Sequence, residues 1–209
     1  PISDMKPLFL GNRMSLQEIK GHFAHSVQTL ELAAEELSET IDYCCTVMAE
    51  ALQNGNKILI MGNGGSAADS QHFAAELVGR FLLERKALPA IALSTDTSIL
   101  TAVGNDYGFD EVFNRQVAAL AKSGDVVVGI STSGNSPNVL KALRTAHELG
   151  ARTVGLLGKD GGAIGGMVEV NLTVRVSGTP FVQEAHAAII HILCDQIEKR
   201  LFPAGTLNA

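Results

Sequence analysis

Four residues able to ligate a metal or move a proton fall at helical spacings in this chain. His72 and Glu76 stand four apart, so on a helix their side chains share a face. Gln183 and His191 are separated by two helical turns, which nearly realigns them. Two readings of this set are open. A helical His and Glu at that spacing are commonly a solvated pair, and a histidine flanked by Ile190 and Ile192 is commonly a satisfied core residue. The same types also suit a divalent metal, with His72, Glu76, Gln183 and His191 as four N/O ligands drawn from two helices.

Two turns could hold an anion near them. The apolar run Lys57-Ile58-Leu59-Ile60-Met61 reads as a buried strand, Gly62-Asn63-Gly64-Gly65-Ser66 as a tight turn, and residues 67–80 as a helix. Such a turn aims backbone N–H groups and the positive end of a helix dipole at one spot, where a phosphate can sit. Ser66 adds a hydroxyl and is also placed as the helix N-cap. A plain strand-to-helix turn is the alternative. The second turn follows Asp125-Val126-Val127-Val128-Gly129-Ile130, a β-branched run of the kind covered on both faces of a parallel sheet. It reads Ser131-Thr132-Ser133-Gly134-Asn135-Ser136, with Pro137 opening a helix over 138–149. A Ser/Thr-rich turn is ordinarily just a turn. Ligands in open α/β sheets bind outside the carboxyl ends of strands, so two hydroxyl-bearing turns in the same structural slot can face one ligand.

The elements that must position these residues alternate. Ser15 and Glu18 form a capping-box pattern, after which Ile19, Phe23, Val27 and Leu30 make one helical stripe and Ile41, Cys44, Met48 and Leu52, beyond Ser38, a second. Two N-terminal helices over residues 15–55 exceed what a minimal α/β unit needs, and their stripe is expected to form a subunit interface. Residues 1–14 show no periodicity and are expected to be a disordered extension or cloning remnant. Further strands are expected at 90–93, 153–157 and 171–176. A polar turn, Ser94-Thr95-Asp96-Thr97-Ser98, leads into a helix that Gly104-Asn105-Asp106-Tyr107-Gly108-Phe109 interrupts before a helix over 111–120. Strands and helices alternating at this spacing mean a parallel sheet with right-handed crossovers.

Composition narrows the class. The 209 residues suit one good-sized domain, and 46% hydrophobic with 18% charged residues allows a substantial core. No apolar run approaches the roughly 20 residues of a membrane span, and no secretory signal opens the chain, so a soluble cytoplasmic protein is expected. Cys44, Cys45 and Cys194, odd in number and in apolar surroundings, read as buried thiols. The net charge of −6 argues against a nucleic-acid surface, though not against a phosphorylated substrate held by helix ends. Neither a GxGxxG followed by an acidic residue nor a Walker lysine occurs.

Six segments carry a resemblance. Gly62-Asn63-Gly64-Gly65-Ser66, His72-Phe73-Ala74-Ala75-Glu76, Gly104-Asn105-Asp106, the run from Gly129 to Ser136, Gly158-Lys159-Asp160-Gly161-Gly162, and Gln183-Glu184-Ala185-His186 with His191 together resemble the sugar isomerase (SIS) domain family. Within it they are closest to the branch that isomerises phosphorylated heptoses. The resemblance spans about residues 15–202, with the SIS domain proper over 56–203. It implies a flavodoxin-like parallel sheet flanked by helices, a homotetramer with active sites between subunits, and conversion of sedoheptulose 7-phosphate to D-glycero-D-manno-heptose 7-phosphate for the heptose of lipopolysaccharide core. It further implies that Ser66, Ser131, Thr132, Ser133 and Ser136 hold the phosphate. Asn63, Gly64 and Gly65 would line the sugar, and Asn105 and Asp106 would meet its hydroxyls. Glu76 would be general base and His191 general acid, with His72, Glu76, Gln183 and His191 as zinc ligands and Glu76 and Gln183 also touching substrate.

One departure stands out: Phe181-Val182 occupies the place where such family members carry Arg-Ile. A different phosphosugar is therefore an alternative substrate. The competing reading from another class is a non-catalytic SIS protein that binds a replication-initiation partner; a sensor or isomerase for an amino-sugar phosphate is a third. Glu76, His191 and the complete turn 131–136 favour the enzyme.

Overall fold

The computed structural model describes residues 15–203, and the expectation for residues 1–14 lies outside the described residues. In chain order the elements are α1 (Leu16–Gln53), β1 (Ile58–Gly62), α2 (Gly65–Val78), β2 (Ala90–Ala92), α3 (Thr97–Tyr107), a 3₁₀ turn (Phe109–Glu111), α4 (Asn114–Leu120), β3 (Val126–Ser131), α5 (Pro137–Glu148), β4 (Arg152–Gly158), α6 (Gly162–Gly165), β5 (Val170–Val174) and α7 (Thr179–Leu201). The five strands pair in parallel in the order β2-β1-β3-β4-β5. This is the flavodoxin-like arrangement, and its order reverses between β1 and β3.

Strand periodicity sorts the core into two layers. Ile58, Ile60, Val126, Val128 and Ile130 pack with Met48 of α1, Phe73 and Leu77 of α2 and Ile189 and Ile190 of α7. The alternate residues Leu59, Met61 and Val127 pack on the other face with Phe113 just before α4, Val117 within it, and Val139 and Leu143 of α5. Both faces of the sheet are thus covered, as its run of apolar strands requires.

Three local readings differ from the structure, each for a physical reason. The N-terminal segment is one helix of 38 residues rather than two. Ser15 and Glu18 do form its capping box, and Ser38 stays inside by donating its hydroxyl to the Ala34 carbonyl. The change of stripe marks a change of partner along one rod: Ile41, Cys44, Met48 and Leu52 are buried, whereas Phe23 is 69% and Val27 53% exposed. Secondly, α3 runs through Gly104, Asn105 and Asp106 and stops only at Gly108, whose φ is +91°. One internal glycine costs a helix about 1 kcal/mol, too little to break a turn started by Asp96, which caps the Ile99 N–H. The expected helix over 111–120 is correspondingly a 3₁₀ turn followed by the shorter α4. Thirdly, the N-cap of α2 is Gly64, at φ +59°, and Ser66 lies inside the first turn with its side chain uninvolved in capping. Cys44, Cys45 and Cys194 are buried free thiols, as expected.

Candidate functional site

The turn after β1 closes on itself: the Ser66 N–H donates to Asn63 O at 3.0 Å and the Ala67 N–H to Gly64 O at 3.0 Å. Ser66 is buried, and its carbonyl accepts the Ser70 hydroxyl at 2.7 Å. In the turn after β3, the Ser131 hydroxyl lies 2.9 Å from that of Ser136 and 3.5 Å from that of Ser133, while Thr132 is half-buried beside them. Ser133 Oγ also accepts the Asn135 N–H at 3.2 Å; hydroxyls so sparsely partnered retain unused donors and acceptors, which an anionic oxygen can take up.

The neighbouring loop sets the shape of this turn. Gly134 has φ +66°, and a side chain there would drive its first carbon to 2.1 Å from the Gly161 carbonyl oxygen. Asn135 Oδ1 accepts the Ala163 N–H at 2.9 Å, and Gly134 O accepts the Ile164 N–H at 3.0 Å. Loop 158–162, read in the sequence only as a motif, and the short α6 that follows it therefore brace the hydroxyl turn from the adjacent strand end.

The two turns are joined by a residue that sequence reasoning passed over. Asn138 in the first turn of α5 is buried and exchanges two amide hydrogen bonds with Asn63, each 2.9 Å. Asn63 thus spends part of its amide on holding the turns in register. The topological switch between β1 and β3 is the place where such a bridge can form, because the two strands are neighbours.

Helix α7 supplies the rest. Its contacts with α2 advance in step along both helices. Gln183 lies over Gly65, where a side chain's first carbon would come within 2.1 Å of Gln183 Nε2. One stretch further, His191 Nε2 sits 3.3 Å from His72 Nε2, and His72 Nε2 lies 3.2 Å from Glu76 Oε1. Glu76 and His191 therefore both reach the same imidazole nitrogen within a single protomer. The two rings meet edge to face with centroids 5.0 Å apart, and Phe81 stacks on the other side of His191 at 5.6 Å and 25°. His191 is exposed, which disposes of the core-histidine reading. That role belongs to His186, fully buried, whose Nε2–H donates to Leu157 O at 2.9 Å and whose pKa burial lowers to about 4.

Two imidazole nitrogens and a carboxylate are donors of the kind zinc takes. The facing Nε2 atoms can share only one proton, an arrangement in which an ion between them would be a natural replacement. Among the described residues, no group of three or more His, Cys, Asp or Glu side chains stands in metal-ligating geometry. Asn105 and Asp106 lie apart on α3, bonded to each other at 2.8 Å. Among the described residues neither hydrogen-bonds to another candidate residue. Phe181 packs against His22 and His25 of α1, with centroids at 4.7 and 5.5 Å, and so serves the contact between α1 and α7.

The SIS domain model matches residues 22–158. The chain belongs to the SIS domain family. It is 61% identical over 187 residues to a phosphoheptose isomerase of Geotalea daltonii, which covers 90% of this chain and 97% of that one. Among solved structures it is similar to phosphoheptose isomerase GmhA from Neisseria gonorrhoeae, at 49% identity and TM-score 0.84, covering 88% of this chain and all of that one. A phosphoheptose isomerase from Francisella tularensis is 40% identical with TM-score 0.86, covering 90% of this chain and all of that chain.

Proposed function

We propose that this SIS domain protein is a phosphosugar isomerase that converts sedoheptulose 7-phosphate to D-glycero-D-manno-heptose 7-phosphate, the aldose used for lipopolysaccharide core heptose. The observation that carries the reading is the meeting of Glu76, His72 and His191 beside two bridged, hydroxyl-bearing turns, in a chain 61% identical to a phosphoheptose isomerase. Moving a carbonyl from C2 to C1 requires a base for the carbon-bound proton and an acid for the oxygens, with a cis-enediol between. Glu76 Oε1 faces His72, which leaves its second oxygen for the carbon proton. His191 is exposed, so its imidazole is open to the substrate oxygens as a proton donor and acceptor.

Ser66, Ser131, Thr132, Ser133 and Ser136 hold the phosphate in this reading, and Asn63, Gly64, Gly65 and Gln183 line the sugar. Binding the phosphoryl group away from the reacting carbons orients the chain of the substrate, so that binding energy goes into position. His72, Glu76, Gln183 and His191 would hold zinc, which when bound stabilises negative charge developing on the substrate oxygens. Asn105 and Asp106, which among the described residues hydrogen-bond to none of these groups, meet the sugar of a neighbouring subunit's site. The exposed apolar stripe of α1, with Phe23, Val27 and Leu30 at 69%, 53% and 40%, supports a homotetramer. Among the described residues no helix is long and apolar enough to cross a membrane, which accords with a cytoplasmic site of action.

The test is direct. Purified protein incubated with sedoheptulose 7-phosphate in D₂O should form the aldoheptose phosphate with deuterium entering at C2, seen by NMR. Inert protein that captured a replication factor would replace this reading with the binding-module one. For assembly, Phe23→Glu should lower the mass measured by light scattering from that of a tetramer.

A further inference from the structure

Loop 79–89, between α2 and β2, carries no regular structure, yet it is tied to α7 by a buried ion pair. The side chains of Arg85 and Glu198 are 0% and 1% exposed, with Arg85 Nε 3.0 Å from Glu198 Oε1. Glu198 also accepts three successive backbone N–H groups, from Phe81 at 2.8 Å and from Leu82 and Leu83 at 2.9 Å each. Arg85 turns its other nitrogens on the carbonyls that end α2: Leu77 at 2.7 Å, Gly79 at 3.0 Å and Glu76 at 2.8 Å. Burial pushes the Glu198 carboxyl up, and those N–H groups with Arg85 more than offset it, so the group stays ionised below the usual carboxyl range.

We propose that Arg85 and Glu198 are positioning residues for the isomerase site: Arg85 fixes the main chain of Glu76, and Glu198 fixes the loop whose Phe81 ring stacks on His191. The inference rests on the function proposed above for Glu76 and His191. Each half of the ion pair serves one of the two reacting groups. One of the carbonyls that Arg85 holds belongs to Glu76 itself, and the first N–H that Glu198 holds belongs to Phe81. Because the guanidinium bonds Glu198 as well, the two halves move together. A purely structural helix cap would explain the bonds to Leu77 and Gly79. It would not require an aromatic ring delivered flat against His191 at 5.6 Å.

The experiment uses histidine-labelled full-length protein, with the His191 ring signals assigned by their loss in His191→Gln. Arg85→Lys keeps a charge for Glu198 but lacks the planar fork that reaches the carbonyls. Phe81→Leu removes the ring from a loop position and leaves the ion pair intact. In both, kcat should fall roughly 10- to 100-fold with KM within about twofold, as expected for a misplaced reacting group. The His191 ring protons, shielded by the stacked Phe81 ring in the parent, should move downfield. Should Arg85→Lys fail to fold, Phe81→Leu decides alone. A folded Phe81→Leu with unmoved His191 signals and parental kcat overturns the inference. If the parent shows no turnover of sedoheptulose 7-phosphate, the proposed function fails separately, and the His191 signals still test the positioning.

Discussion

The two ends of the sheet both concentrate polar groups, and they treat them in opposite ways. At the amino ends, the buried carboxylate of Asp125 is completely used: it accepts the Lys57 N–H at 3.0 Å, the Lys122 N–H at 2.8 Å and the Lys57 ammonium. Burial raises its pKa, but the bonds from Lys57 and Lys122 prevail and hold it below the ordinary 3.8. At the carboxyl ends, Ser131, Ser133 and Ser136 touch chiefly one another, and His72 and His191 face each other at 3.3 Å. A closed network contributes stability; an open one costs stability and is retained where a ligand completes it.

The contrast can be broken most forcefully at Glu76. Glu76→Gln should lower kcat by about 10³-fold or more while sugar-phosphate binding, measured by calorimetry, changes less than about threefold. A loss under tenfold would move the base elsewhere. Next in size, Asp125→Asn should cost roughly 2–3 kcal/mol of unfolding free energy in urea titrations and leave kcat unchanged in the folded protein. Its sign with pH is definite. Asp125 is depressed, so its contribution is present above 3.8 and is lost as pH falls through its lower native value. The gap between parent and variant should therefore close in acid.

Ser136→Ala tests the open end at a single hydroxyl. Loss of one hydrogen bond to the phosphate predicts a KM about tenfold higher, with kcat within threefold and stability nearly unchanged. The smallest effect concerns His186, a fully buried imidazole with one nitrogen bonded to Leu157 O and the other unpartnered among the described residues. Its native pKa is lowered from 6.5 to about 4, so the unfolded chain binds a proton that the native state refuses. From pH 7.5 to 6.0 this group should remove about 0.8 kcal/mol of stability, read from the shift in urea midpoint.

How legible each part was follows from how local it is. Each hydroxyl turn lies within a single strand-turn-helix unit, the His72–Glu76 pair shares the first of them, and the amino-acid types announced them. The partnership of Asn63 with Asn138 joins residues 75 apart, and that of Phe81 with Glu198 residues 117 apart. Neither leaves a periodic trace. Arg85 and Glu198, 113 residues apart, carry no mark in the sequence of the burial that pairs them. The single helix α1 was misread as two because a shift of hydrophobic stripe signals a new partner as well as a new helix.

What the chain alone determined is the alternation of strands and helices, the two polar turns at strand ends, and which face of each element is apolar; these depend on backbone preference and side-chain period over a few residues. The tertiary structure decided which turn lies beside which, through the strand order that makes β1 and β3 neighbours, and it brought His191 against His72 by laying α7 in step along α2. An apolar face specifies that it must be covered and not by what. The choice among covers is made by packing the whole core at once.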